Sequence, residues 1–283
     1  MGLFDALFRR PRPLPEEPPP PPPVKEAEIR ESAGPLAIRV AYLQGSGERE
    51  EQEDSFAVLN ATAPAELSSQ GLFALVADGM GGMEGGRQAS EWAADFFIQL
   101  FRERDPKRSV PEWFYQSAHV VSDSVYRQFG GRSGTTLVAG HLLEDRLHWL
   151  SVGDSAIYLA RGGGVFQLNR EHTCLNRLYL QELEQPVIDK ARAERDEDAR
   201  RLTSFVGIDR LTEVDLNLRP LDLRRGDALL LCSDGISGVL TPPELLEAMS
   251  LTPEEGAELL GHMVLEKGVP GQDNYTGVLI ACQ

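Results

Sequence analysis

Hydrophobic and polar positions fall into blocks along the chain. Residues 36–43 (LAIRVAYL), 55–59 (SFAVL) and 71–78 (GLFALVAD) read as strands, each an apolar run with turn formers close by. Two helical stretches follow. In residues 87–104, Trp92, Ala93, Phe96, Phe97, Leu100 and Phe101 form one apolar stripe. Residues 112–129 repeat the pattern with Trp113, Ala118, Val121, Val125 and Phe129, and Pro111 suits an opening turn. Four strand runs then crowd together at 134–143, 146–152, 156–160 and 165–168. The gaps between them are too short for crossover helices, so these strands are expected to pair antiparallel. A charge-rich helical stretch covers about 174–203. Strands at 213–218 and 227–234, helices at 242–249 and 253–266, and a strand at 276–282 complete the pattern. Strands and helices in separate blocks predict an α+β class with stacked antiparallel sheets, not a doubly wound fold.

The segment before this body has a different texture. Nine of the 19 prolines fall between Pro11 and Pro23, and such a run should form a solvated polyproline II rod. Residues 1–34 are therefore expected to be a disordered tail, and residues 35–283 one domain. Within the tail, Leu3, Phe4, Leu7 and Phe8 precede Arg9 and Arg10. That pattern fits a peripheral docking element for a membrane surface or partner groove, or else a frayed terminus. The sequence leaves both open.

Charge and cysteine usage narrow the function. Lys plus Arg is 28 against 44 Asp plus Glu, a formal net charge of −16. No general nucleic-acid binder is expected, since that role needs a basic face. Cys174, Cys232 and Cys282 lie far apart, which fits neither a zinc ribbon nor a disulfide framework and sets a reduced, cytoplasmic location as the expectation. No apolar run reaches the ~20 residues of a membrane span.

The candidate chemistry lies at strand ends. Ala74-Leu75-Val76-Ala77-Asp78-Gly79 delivers an acid to the end of an apolar strand, with five glycines from Gly79 to Gly86. This is not a phosphate loop, because Arg87 and Gln88 stand where Lys and Ser/Thr would be needed. The punctuation returns at Leu231-Cys232-Ser233-Asp234-Gly235, at Gly153-Asp154-Ser155, at Asp273-Asn274 and at Glu53-Asp54. One such Asp is an ordinary turn former. Five gathered at one rim would repel and raise each other's pKa unless cations sat between them. Oxygen ligands without His or Cys favour Mg²⁺ or Mn²⁺ over zinc.

These motifs resemble those of the PPM (type 2C) family of metal-dependent protein serine/threonine phosphatases, particularly its bacterial branch. The likeness runs in order through Arg49-x-x-Gln52-Glu53-Asp54, Asp78-Gly79-Met80-Gly81-Gly82, Gly134-Thr135-Thr136, Gly153-Asp154-Ser155, Ser233-Asp234-Gly235 and Asp273-Asn274. It implies a four-layer α-β-β-α sandwich, two stacked antiparallel sheets flanked by helices. It implies that Asp78 bridges two Mn²⁺ or Mg²⁺ ions, with the Gly79 carbonyl as an additional ligand. Asp234 and Asp273 would complete the first ion, Glu53 and Asp54 the second, and Asp154 with Asp234 a third. Arg49 would clamp the substrate phosphoryl group, and a hydroxide bridging the ions would hydrolyse phosphoserine or phosphothreonine without a phosphoenzyme. The expected partners are phosphoproteins, substrates of a cytoplasmic Ser/Thr kinase, and the chain is expected to be monomeric. Three departures stand out. Met80 replaces a His of some relatives and cannot donate a proton, Ala156 replaces a common Arg, and Gln52 replaces the usual Asn. None removes an implied ligand, although a weak or silent regulator on the same fold is the alternative. Residues 174–203 would form the family's flap, and a solvated helical face explains their acids, Glu182 among them, at least as well as substrate selection does.

Overall fold

A computed structural model describes residues 36–80 and 85–283. The expected tail and rod, together with Gly81 and Gly82, lie outside the described residues. In chain order the elements begin with β1 (Ile38–Gly45), β2 (Asp54–Leu59), α1 (Pro64–Gln70), β3 (Leu72–Asp78), α2 (Gly86–Arg102) and α3 (Val110–Phe129). There follow β4 (Leu137–Leu143), β5 (Arg146–Val152), β6 (Ala156–Arg161), β7 (Gly164–Gln167), α4 (Cys174–Leu183) and α5 (Lys190–Glu194). The chain closes with β8 (Asp215–Leu216), β9 (Leu221–Asp222), β10 (Ala228–Cys232), α6 (Asp234–Ser237), α7 (Pro242–Met249), α8 (Pro253–Glu266) and β11 (Tyr275–Cys282).

The strands form two antiparallel sheets, ordered β1-β11-β10-β6-β7 and β2-β3-β4-β5-β8, with β9 also pairing β5. Side-chain alternation explains the layering. On β3, Leu72, Ala74 and Val76 join a core with Leu229 and Leu231 of β10 and Val278 and Ile280 of β11. The intervening Phe73, Leu75 and Ala77 pack with Phe97 and Phe101 of α2 and Trp113 of α3. On β10, Ala228, Leu230 and Cys232 face Leu245 of α7 and Leu260 of α8. A strand buried on both faces reads as a continuous apolar run, which is why 72–77 and 228–232 stand out in the sequence. The result is the α-β-β-α sandwich. Capping boxes of Thr241 with Glu244 and Thr252 with Glu255 start α7 and α8, each followed by a proline in the first turn. Among the described residues no helix is long and apolar enough to cross a membrane.

Three expectations need correction. The crowded strands do not all pair with their neighbours in sequence: β4 pairs β5 and β6 pairs β7, but β5 and β6 belong to different sheets. The switch occurs at Gly153, whose φ of +103° a side chain rarely adopts, and a Cβ there would lie 2.7 Å from Thr136 Cβ. The 174–203 stretch is not one helix. Pro186 lies between α4 and α5, lacks an N–H and disfavours helical geometry in the residue before it. The strand expected over 213–218 shrinks to the two residues of β8.

Candidate active site

Topology carries every candidate carboxylate to one rim. Asp54 opens β2 and Asp78 closes β3, and antiparallel register sets them directly opposite each other. In the other sheet β10 ends as β6 and β11 begin, so Asp234, Asp154 and Asp273 emerge at the same ends of their strands. Ser233 joins the sheets by donating from Oγ to Asp54 Oδ2 at 2.8 Å and accepting from the Thr276 amide at 2.9 Å.

Backbone hydrogen bonds fix each acid. The Asp78 carbonyl accepts from the Thr136 amide and from Thr135 Oγ1, both at 2.8 Å, while the Asp78 amide donates to Thr136 Oγ1 at 3.1 Å. Thr136 Oγ1 also meets Ser155 Oγ at 2.7 Å, tying Asp78 to the Asp154 turn. The Gly153 amide donates to His172 Nδ1 at 3.0 Å, and burial lowers the pKa of that imidazole. Asn274 rivets the loop that carries Arg49 and Glu53. Its Nδ2 donates to the carbonyls of Ser46 and Glu51, each at 3.0 Å, and its Oδ1 accepts from the Glu53 amide at 2.7 Å. Gly79 packs so tightly that a Cβ would strike the carbonyl oxygens of Gly86 and Glu53.

The electrostatics of the rim are those of crowded acids. Burial pushes Asp54 from its ordinary 3.8 up to about 6, against hydrogen bonds from Ser233 and Thr276 that pull it down. Asp78 is held well above its ordinary range by burial and by the charges of Asp54, Asp234 and Asp154. Burial, then Asp234 and Glu171, raise Asp154 to about 7. Asp234 reaches solvent at the cleft mouth, yet surrounding protein and Asp273 raise it too, opposed by a hydrogen bond with Asp78. Burial also raises Glu53, against the pull of Arg49. Arg49 donates from Nη2 to Asp273 Oδ2 at 2.8 Å, and both side chains are about half exposed.

Sequence reasoning missed several members of this site. Ser233 and Asn274 lay inside noted motifs but show their roles only through cross-sheet contacts. Glu171, which raises Asp154 and Asp234, and Arg200, which lowers them, have no local signal at all. Glu182 of the flap is also corrected: it is buried, and Arg192 grips it through Nε–Oε1 at 2.7 Å and Nη2–Oε2 at 2.6 Å. It staples α4 to α5 and is not a solvated charge.

The donor set suits a hard divalent cation. It is all oxygen, it is crowded enough to resist ionisation, and the buried Asp54 Oδ1 has no hydrogen-bond partner. Among the described residues no three acidic, imidazole or thiol groups close around a single point. The carboxyls line a common rim instead.

Comparison with known proteins adds to this geometry. A family model described as protein phosphatase 2C matches residues 51–264. The serine/threonine phosphatase stp of Listeria innocua is 28% identical over 216 residues, spanning 73% of this chain and 82% of that protein. The solved structure of PppA, a key regulatory component of T6SS in Pseudomonas aeruginosa, is 27% identical with a TM-score of 0.66, covering 88% of this chain and 99% of that one. The catalytic domain of PstP, solved with two manganese ions, shares the fold at 24% identity and a TM-score of 0.65, covering 87% of this chain and 99% of that one.

Proposed function

The chain belongs to the protein phosphatase 2C family, and from that premise we propose that it hydrolyses phosphoserine and phosphothreonine in proteins with the help of Mn²⁺ or Mg²⁺. The observation that carries the reading is the rim itself, where Asp54, Asp78, Asp154 and Asp234 are held together against their own repulsion. Asp78 would bridge two ions, with Asp234 and Asp273 completing one and Glu53 and Asp54 the other, and the Gly79 carbonyl assisting. Asp154 with Asp234 would serve a weaker third. Bound ions would supply the positive charge that a phosphoryl group requires in this acidic cleft and would ease deprotonation of the attacking water.

The chain's own groups do the positioning. The Asp273 contact fixes one edge of the Arg49 guanidinium and leaves its other N–H groups to face phosphoryl oxygens. Ser233, Thr135 and Thr136 hold Asp54 and Asp78 rigidly, so little reorganisation accompanies the reaction. Met80 carries no exchangeable proton, so the proton for the leaving alkoxide would come from water or from another group of the site. A phosphothreonine peptide and p-nitrophenyl phosphate test the proposal: hydrolysis should stop in EDTA and return with Mn²⁺ or Mg²⁺. Undiminished hydrolysis in chelator would overturn it. Phosphoproteins made by a Ser/Thr kinase are the substrates this implies.

A further inference from the structure

The turn that carries Asp154 is gripped on both flanks by one short segment. Asn169 Nδ2 donates to the Ser155 carbonyl at 2.9 Å and to Ser151 Oγ at 2.8 Å, while its Oδ1 accepts from the Ile157 amide at 2.7 Å. Three residues on, His172 takes the other flank. Its Nδ1 accepts from the Gly153 amide at 3.0 Å, and its own amide donates to the Gly153 carbonyl at 2.8 Å. Both side chains are buried. Because Nδ1 accepts, the ring proton sits on Nε2, which is buried without a hydrogen-bond partner among the described residues. A buried donor left unmet costs stability, so the acceptor is the part of this ring that the fold uses. The His172 backbone also closes the base of the flap. Its carbonyl accepts from the Thr203 amide at 2.8 Å, and Thr173 bridges Leu202. The amides of Cys174 and Leu175 donate to the carbonyls of Arg201 and Ala199, each at 2.9 Å. Glu171 and Arg200 stand on the two sides of this base, and the charges of both reach Asp154.

From this we infer that His172 is a positioning residue for Asp154. As the acceptor for the Gly153 amide it ties the turn to the base of the flap, and so sets the weaker third site that Asp154 would share with Asp234. This deepens the proposed function and rests on it for the ions alone. Gly153, at a φ of +103°, has no side chain of its own to lock the turn. The two stronger sites do not depend on this contact, since Thr135, Thr136 and Ser233 hold Asp78 and Asp54. Without the acceptor a buried amide is stranded and the Asp154 turn is free to shift. Partners that orient metal ligands contribute about 10- to 100-fold in metal affinity, and one that acts through the backbone belongs at the low end.

The test separates the acceptor from the shape of the side chain. His172→Asn keeps an oxygen where Nδ1 stands, and His172→Leu keeps the branching without it. Mn²⁺ uptake by the full chain is followed through the electron paramagnetic resonance signal of the free ion. His172→Leu should weaken the third site about tenfold and leave the two stronger Kd values within about twofold, whereas His172→Asn should hold all three within about twofold of the wild type. Should His172→Leu fail to fold, His172→Gln, whose amide lies beyond the Nδ1 position, carries the same expectation. In the metal-free proteins, hydrogen exchange at the Gly153 amide should quicken about tenfold in His172→Leu and stay near the wild-type rate in His172→Asn. Equal behaviour of the Asn and Leu variants, weakening of all three sites together, or a wild type without a third site would overturn the inference. The expected ion pattern without hydrolysis of any phosphoester would overturn the phosphatase reading and leave His172 in its role. Absence of Mn²⁺ uptake by the folded wild type would overturn both.

Discussion

Replacing Asp54 with asparagine should stabilise the metal-free protein even as it impairs metal binding. Asp54 is 5% exposed, Ser233 donates to its Oδ2, and its Oδ1 has no partner. The folded-state value of about 6 exceeds the ordinary 3.8. Below about pH 4 both folded and unfolded chains carry the proton, and the group contributes nothing. Between pH 4 and 6 the unfolded chain releases the proton while the folded chain keeps it, so stability falls as pH rises. Above that window the loss is complete. The gap between 3.8 and about 6, at 1.36 kcal/mol per pH unit, amounts to about 3 kcal/mol. The asparagine amide would keep an acceptor for Ser233 and carry no charge, so it escapes this loss. Urea unfolding of dilute protein in EDTA at pH 4, 5.5 and 7 measures the difference. Asp54→Asn should exceed the wild type by only about 0.5 kcal/mol at pH 4 and by up to about 3 kcal/mol at pH 7, and Mn²⁺ should reverse the order. Parallel profiles across this range would refute the reasoning.

Other perturbations probe separate parts of the account. Arg49→Ala should raise KM with metal binding retained, a loss in kcat/KM worth about 1.5–3 kcal/mol by steady-state kinetics. Asp227 is buried and accepts from Arg161 Nε at 2.8 Å and Nη2 at 2.6 Å, so Asp227→Ala should cost about 3 kcal/mol in unfolding experiments without changing kcat. Deleting residues 1–34 should leave the turnover of a small phosphate ester nearly unchanged. If the tail docks, the same deletion should slow dephosphorylation of a protein substrate, through lost effective concentration.

The α+β class was legible because strands buried on both faces leave unbroken apolar runs, as in 72–77 and 228–232. The candidate carboxylates were legible because each ends or precedes such a run beside Gly, Ser or Asn. What joins them was not. That Asp54 faces Asp78 and takes a hydrogen bond from Ser233 depends on register and on the meeting of two sheets, which no local pattern encodes. The β5–β6 crossing hides in the backbone of Gly153, and short antiparallel spacing gives no warning of it. Charge alone could not separate Glu182, stapled to Arg192, from the solvated acids around it. Long-range groups such as Glu171 and Arg200 carry no motif, because their influence is electrostatic and arises only once the flap is folded.

Calorimetric titration of the metal-free protein with Mn²⁺ tests most directly whether the acidic rim is a two-metal centre bridged by Asp78. The wild type should take up two ions, with a weaker third at high concentration, and Asp78→Asn should lose both strong sites together because a single carboxylate serves them. Uptake of two ions by Asp78→Asn with wild-type affinity, or no uptake by the folded wild type, would contradict the account.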